Sequence, residues 1–214
     1  VHVLDVRRGV LLPDHAVLVE GDAIRELSDK PIASPSARVI DGGGRTLMPG
    51  LIDCHAHVTF SQTNLGLLAG TPSTTLALRT LPILRGMLRR GFTTVRDAGG
   101  ADWALKQAVA DGMDGTVVGP RLFVSGPALS PTGGHGDFRP RSDRLQPLGC
   151  GCQRLASTRV VDGVDAVRRT VRELLQMGAD QIKIMSSGGV ASPTDPVNAL
   201  GYSLEETRAI VDEA

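Results

Sequence analysis

The chain has 214 residues, enough for one sizeable domain or a small domain and part of a larger one. Basic and acidic residues both number 23, so the formal net charge is zero, which excludes a binder of nucleic acid or membrane held by bulk charge. No run of about 18 apolar residues occurs, so no transmembrane helix is expected, and the first residues lack the basic region and apolar core of a signal peptide.

The chain opens Val1-His2-Val3-Leu4-Asp5, without methionine and already in what reads as a strand, so a piece cut at its front is expected. The first fifty residues read as short strands over 1–6, 16–20, 23–27 and 38–41, separated by Leu12-Pro13-Asp14, Glu20-Gly21-Asp22 and Asp41-Gly42-Gly43-Gly44. Four such strands bury little alone, so residues 1–48 are expected to be part of a small β-sandwich.

The pattern then changes. Residues 51–57 read as a strand and 73–90 as a helix that Pro82 should kink or break. A strand over 93–96, a helix over 103–110 and a strand over 121–125 follow. A Gly- and Pro-rich stretch runs from 126 to about 158. Over 162–177, Val164, Val167, Val171, Leu174 and Leu175 make an apolar stripe, stopped by Gly178. A strand over 181–185, a loop and the capping-box pattern Ser203-Leu204-Glu205-Glu206 lead into a last helix. Alternating strands and helices imply right-handed βαβ units on a parallel sheet. An open doubly wound sheet and half of an eight-fold barrel both fit. The loops after strands are the longer and more polar ones, as on the active face of a barrel, and no GxGxxG opens the first helix. The expected fold is therefore α/β: half of a (β/α)8 TIM-type barrel over 49–214, behind the partial sandwich.

Two features carry chemistry. His55-Ala56-His57 closes the first barrel strand, and residues two apart on a strand share a face. The pair either grips a metal ion or is simply solvated; Asp53 falls on the same face and reads as a carboxylate orienting an imidazole. The second feature is Lys183, one of three lysines (Lys30, Lys106, Lys183) among the 23 basic residues. It sits in the apolar run Gln181-Ile182-Lys183-Ile184-Met185, where lost hydration favours the neutral amine. Such an amine can form a Schiff base or a carbamate bridging two metals; alternatively its stem packs and its head reaches water. In a barrel, the ends of the first and fourth strands open on one mouth. Cys54, Cys150 and Cys152 form no disulfide framework, which suits a reducing, cytoplasmic compartment, and Cys150-Gly151-Cys152 reads as a plain loop.

At this point the chain resembles the metal-dependent amidohydrolases, in the branch of imidazolonepropionase-like enzymes and prolidase-like dipeptidases. The carrying motifs are 48–57 (MPGLIDCHAH), 91–97 (GFTTVRD), 132–136 (TGGHG), 182–185 (IKIM) and 187–195 (SGGVASPTD), in the family's order. The resemblance implies that His55 and His57 ligate the more buried of two divalent metal ions, zinc above all. It implies that Lys183, carboxylated by CO2, bridges them. His135 resembles a substrate-contacting position. Asp97 and Arg96 are expected to fix loops as a pair. Ser187 and Thr194 face substrate or serve in turns.

The likeness covers the family's N-terminal half. Complete members have two further metal-binding histidines and a later aspartate that takes the proton from the attacking water; after Lys183 this chain has no histidine. The expected activity of the complete enzyme is hydrolysis of dipeptides or N-acyl amino acids with proline, lysine or arginine on the C-terminal side. Hydrolysis of a cyclic amide is the alternative. The 214-residue chain alone is expected to be an inactive half-barrel. The expected partner is a small peptide-like substrate, with no nucleic acid or membrane, and self-association at full length.

Overall fold

A computed structural model describes residues 1–139, 157–192 and 195–214. The loop carrying Cys150 and Cys152, and Thr194, lie outside the described residues. The chain divides into two compact units, Val1–Gly50 and Leu51–Ala214.

In the first unit, β1 (His2–Asp5) lies between β2 (Val10–Leu12), antiparallel to it, and a short parallel strand at Thr46–Leu47. The Asp5 carboxylate accepts the N–H groups of Arg7 and Arg8 and so shapes the β1–β2 turn. The strands β3 (Ala16–Glu20) and β4 (Ala23–Ser28) form a hairpin whose Gly21 has φ +62°, the positive value that a two-residue turn requires at this position. Residues 38–41, expected as a strand, form none. They find no neighbouring strand to complete a ladder among the described residues, and Val39 and Ile40 stay exposed. With Thr46–Leu47 as β5, the unit has a three-stranded sheet and a separate hairpin.

The second unit is a mixed α/β fold. Its main sheet is parallel, in the order β6 (Leu51–Ala56), β7 (Phe92–Asp97) and β8 (Arg121–Val124). The helices α1 (Leu65–Ala69) and α2 (Ser73–Arg89) connect β6 to β7, and α3 (Trp103–Asp111) connects β7 to β8. Pro82 does not break α2 into two elements. It lies on the exposed side, as does Leu78, whose carbonyl its missing N–H would have met, so water can satisfy that oxygen. Leu84 and Met87 of α2 pack with Val95, Leu122 and Val124 of the sheet, which makes one core. Alternation along β8 is strict: Leu122 and Val124 are buried, whereas Arg121 and Phe123 are exposed. In register with them, Ile52 and Arg96 are also exposed, so one face of this parallel sheet is uncovered among the described residues. Parallel sheets are ordinarily covered on both faces.

A second core lies around α4 (Val164–Gln176) and α5 (Leu204–Glu213), where Val167, Val171, Leu174 and Ile210 pack with Leu129. Leu129 belongs to β9 (Ala128–Ser130), which pairs in parallel with β10 (Thr158–Val160). The expected strand over 181–185 shrinks to one parallel bridge, Leu129 to Ile184, with hydrogen bonds from Leu129 N to Lys183 O and Met185 N to Leu129 O, both 2.8 Å. The capping box at Ser203 and Glu206 is formed, and Glu206 also accepts the Gly163 N–H at the start of α4. One carboxylate therefore caps both helices.

Candidate metal and substrate site

The site begins with a break in strand geometry. Asp53 pairs with Val95 and Ala56 pairs with Asp97, so three steps along β6 answer two along β7. This bulge resets the alternation. Asp53 keeps the register of the helix-packed residues, Ala56 packs against the core, and His55 turns to the other face. Asp53 is consequently not the expected imidazole partner on the same face. Its Oδ1 accepts the backbone N–H of His55 at 3.0 Å and holds the main chain of the bulge.

His55 and His57 nevertheless come together, edge to face, with ring centroids 5.4 Å apart. His57 stacks on Phe60 at 4.6 Å, and its Nδ1 lies 3.0 Å from the Gly99 carbonyl oxygen. A carbonyl can only accept, so Nδ1 carries the proton and Nε2 keeps a free lone pair. The Lys183 ammonium is the largest influence holding the His55 pKa below its ordinary 6.5; partial burial, His57 and Arg96 act the same way, and Asp53 opposes them. Lys183 thus faces His55 electrostatically, and His55 is neutral at neutral pH, the form that ligates a metal.

Around the pair, Asp97 is fully buried and accepts three backbone N–H groups: Val58 at 2.7 Å, Gly99 at 3.0 Å and Ala101 at 3.1 Å. Burial pushes its carboxyl pKa up against the pull of these bonds. The expected Arg96–Asp97 pair does not form, because successive strand residues point to opposite faces; Arg96 Nε donates to the Cys54 carbonyl at 2.7 Å instead.

His135 lies on the loop after β9. Its Nδ1 is 2.9 Å from Ser192 Oγ and 3.9 Å from Asp195 Oδ2. A β-carbon on Gly189 would fall 2.0 Å from the His135 ring, so glycine there makes room for the imidazole. Burial raises the Asp195 pKa, but the Ser192 hydroxyl and the Gly189 N–H outweigh it and hold the carboxyl low. Its Oδ1 is buried without a partner among the described residues, beside a cavity of about 100 Å³ lined by Gly133, Gly134, Ser187 and Gly188.

The residues present fit part of a metal site. Two imidazoles converge and the charge of Lys183 reaches one of them, but among the described residues no cluster of three or more His, Cys, Asp or Glu is placed to hold an ion. Sequence reasoning missed Gly99, Phe60, Gly189 and Ser192. The Gly99-Gly100 pair directly after a strand was the available signal of a close backbone approach.

A sequence model of the amidohydrolase family matches residues 46–214. The chain belongs to the amidohydrolase family. Enzymes of this family generally bind divalent metals. Over 178 residues the chain is 38% identical to ochratoxinase of Aspergillus niger, covering 78% of this chain and 36% of that protein. It is 28% identical over 188 residues to imidazolonepropionase of Cereibacter sphaeroides, covering 86% of this chain and 40% of that one. A crystal structure of a prolidase complexed with N-methylphosphonate-L-proline superposes with a TM-score of 0.92 at 59% identity, over 100% of this chain and 52% of that chain. This amidohydrolase chain therefore spans about half the length of the prolidase and under half that of the curated relatives. No helix among the described residues is long and apolar enough to cross a membrane.

Proposed function

We propose that this chain is the first half of a binuclear metal-dependent amidohydrolase that cleaves dipeptides or N-acyl amino acids, of Xaa-Pro, Xaa-Lys or Xaa-Arg type. The observation that carries the reading is the convergence of His55 and His57 at 5.4 Å, with the proton of His57 drawn to Nδ1 by the Gly99 carbonyl and the charge of Lys183 reaching His55. The likeness to a prolidase complexed with a proline phosphonate supports the substrate class.

In this reading Leu51–Ala56, Phe92–Asp97, Arg121–Val124 and the strands near Leu129 are the first strands of a closed barrel, and Val1–Gly50 is part of a sandwich. The uncovered sheet face is then the barrel interior. His55 and His57 hold one divalent ion, zinc in the first instance, and Lys183 carries a carbamate from CO2 that bridges to a second. Bound divalent ions would lower the pKa of water towards about 7 and polarise an amide carbonyl. His135, braced by Ser192 and seated over Gly189, contacts the substrate. The further metal ligands and the proton-shuttling aspartate come from sequence beyond these residues. Self-association and a cytoplasmic location, suited to the free Cys54, complete the proposal. Hydrolysis of a cyclic amide is the second reading, favoured by the likeness to imidazolonepropionase.

The test is metal analysis of the intact protein with His55→Ala and Lys183→Ala variants, alongside a panel of Xaa-Pro, Xaa-Lys and Xaa-Arg dipeptides. Both variants should lose bound metal, and dipeptide hydrolysis should fall by about 100-fold or more. Added bicarbonate should raise the activity of the wild type and not of Lys183→Ala. Unchanged metal content and activity in both variants would reject the site.

A further inference from the structure

We propose that Asp97 is a positioning residue that fixes the tautomer and aim of His57 through the backbone of Gly99. The relay is short. Asp97 Oδ2 accepts the N–H of Val58, the residue directly after His57, at 2.7 Å. Asp97 Oδ1 accepts the N–H groups of Gly99 and Ala101 at 3.0 and 3.1 Å. The carbonyl of that same Gly99 meets His57 Nδ1 at 3.0 Å. The carboxylate thus anchors both the main chain that bears the ring and the main chain that receives its proton.

Each part has a physical reason. A free neutral imidazole in water favours the proton on Nε2, the nitrogen that must stay bare to bind a metal here. The fold overrides this preference by presenting a carbonyl, which cannot donate, to Nδ1. The carbonyl reaches that place because Gly99 adopts φ +146°, and a β-carbon there would lie 3.3 Å from the Ser157 carbonyl oxygen and 3.5 Å from the His57 ring. Three N–H donors converge on one side chain. A carboxylate offers two acceptor oxygens to them, whereas an amide would turn an NH2 group toward at least one N–H. Asp97 also binds through its own carbonyl, which accepts Gln181 Nε2 at 3.0 Å and ties β7 to the segment bearing Lys183. One buried residue therefore sets the spacing of the turns behind both histidines and of the lysine segment.

The consequence for metal binding rests on the proposed role of His57 as a ligand; the tautomer does not. The experiment separates the two. Nitrogen-15 NMR of the intact, chelator-treated protein near pH 8 should show His57 protonated at Nδ1, and Asp97→Asn should shift it toward the Nε2–H form. Cobalt titration should show affinity reduced about 10- to 100-fold in Asp97→Asn. Ile210→Ala, buried in the other core, serves as a control for lost stability and should leave the His57 tautomer unchanged and cobalt affinity within about twofold. A wild-type His57 protonated at Nε2 overturns the proposal even if Asp97→Asn fails to fold. So does a folded Asp97→Asn that keeps the wild-type tautomer and affinity, or an equal shift in Ile210→Ala. A wild type that holds the Nδ1–H form but binds neither cobalt nor zinc rejects the metal reading and leaves the relay standing.

Discussion

His57 and His135 each have Nδ1 held at hydrogen-bonding distance, 3.0 Å to the Gly99 carbonyl in one and 2.9 Å to the Ser192 hydroxyl in the other. The partners differ in kind. A carbonyl only accepts, so it selects one tautomer outright, whereas a hydroxyl does so only while its single hydrogen is directed elsewhere, here to the Gly189 carbonyl at 3.3 Å. The surroundings differ in the same sense. The turns at His57 direct three backbone N–H groups to a buried Asp97, while Asp195 beside His135 keeps one buried oxygen without a partner among the described residues, next to a cavity. The first region is built in advance for one ligand geometry. The second keeps acceptor capacity in hand, which suits a surface that meets a substrate only part of the time.

Three substitutions press on this contrast. The largest effect is expected from Gly100→Ala. Gly100 has φ +115°, and a β-carbon would fall 2.3 Å from Thr59 Oγ1, so the turns behind His57 cannot absorb it. A loss of about 2–3 kcal/mol in denaturant unfolding is expected. A neutral Gly100→Ala would show that the His57 side is as adaptable as the other. Gly189→Ala is expected to cost less, about 1 kcal/mol, because the obstacle is a side-chain ring that can move. Histidine NMR shifts should then change at His135 and stay put at His57. Equal movement of both would erase the distinction. The smallest effect is expected from Glu206→Gln, far along the chain from either ring. It weakens two caps and should cost about 0.5 kcal/mol. The Gly163 N–H, ahead of the bonds from Ser203, holds the Glu206 pKa below its ordinary 4.5. That stabilisation is fully present above pH 4.5 and fades as pH falls through the lower folded value, so the gap between wild type and Glu206→Gln should close in acid.

Sequence alone revealed what depends on pattern over many residues. The stripe Val164, Val167, Val171 and Leu174 became one wall of a core, and the Ser203–Glu206 box formed as written. It failed where the answer depends on a neighbour far away in the chain. Pro82 sits inside a continuous helix because that side of the helix faces water, and residues 38–41 have strand composition without a partner strand. At the site, the spacing of His55 and His57 foretold that they lie together, and the charge of Lys183 does reach His55. The role of Asp53 was misread because period-two alternation assumes a strand without a bulge. Gly99 and Ser192 escaped notice because a backbone carbonyl or a loop hydroxyl has no signature of its own in sequence.

The extra residue between Asp53 and Ala56 has a consequence for how this protein tolerates change. The direction of both imidazoles is set by a count of residues, not only by their identities. Pairing the same residues without the bulge would place His55 and His57 on the face of Asp53, toward the packed helices, with every ligand still present in the sequence, whereas removing one residue between Asp53 and His55 together with the bulge would leave both rings on the open face. Relatives one residue shorter here keep the rings on the open face by losing the bulge with that residue, so the bulge and the segment length together are as much a part of the site as the two histidines.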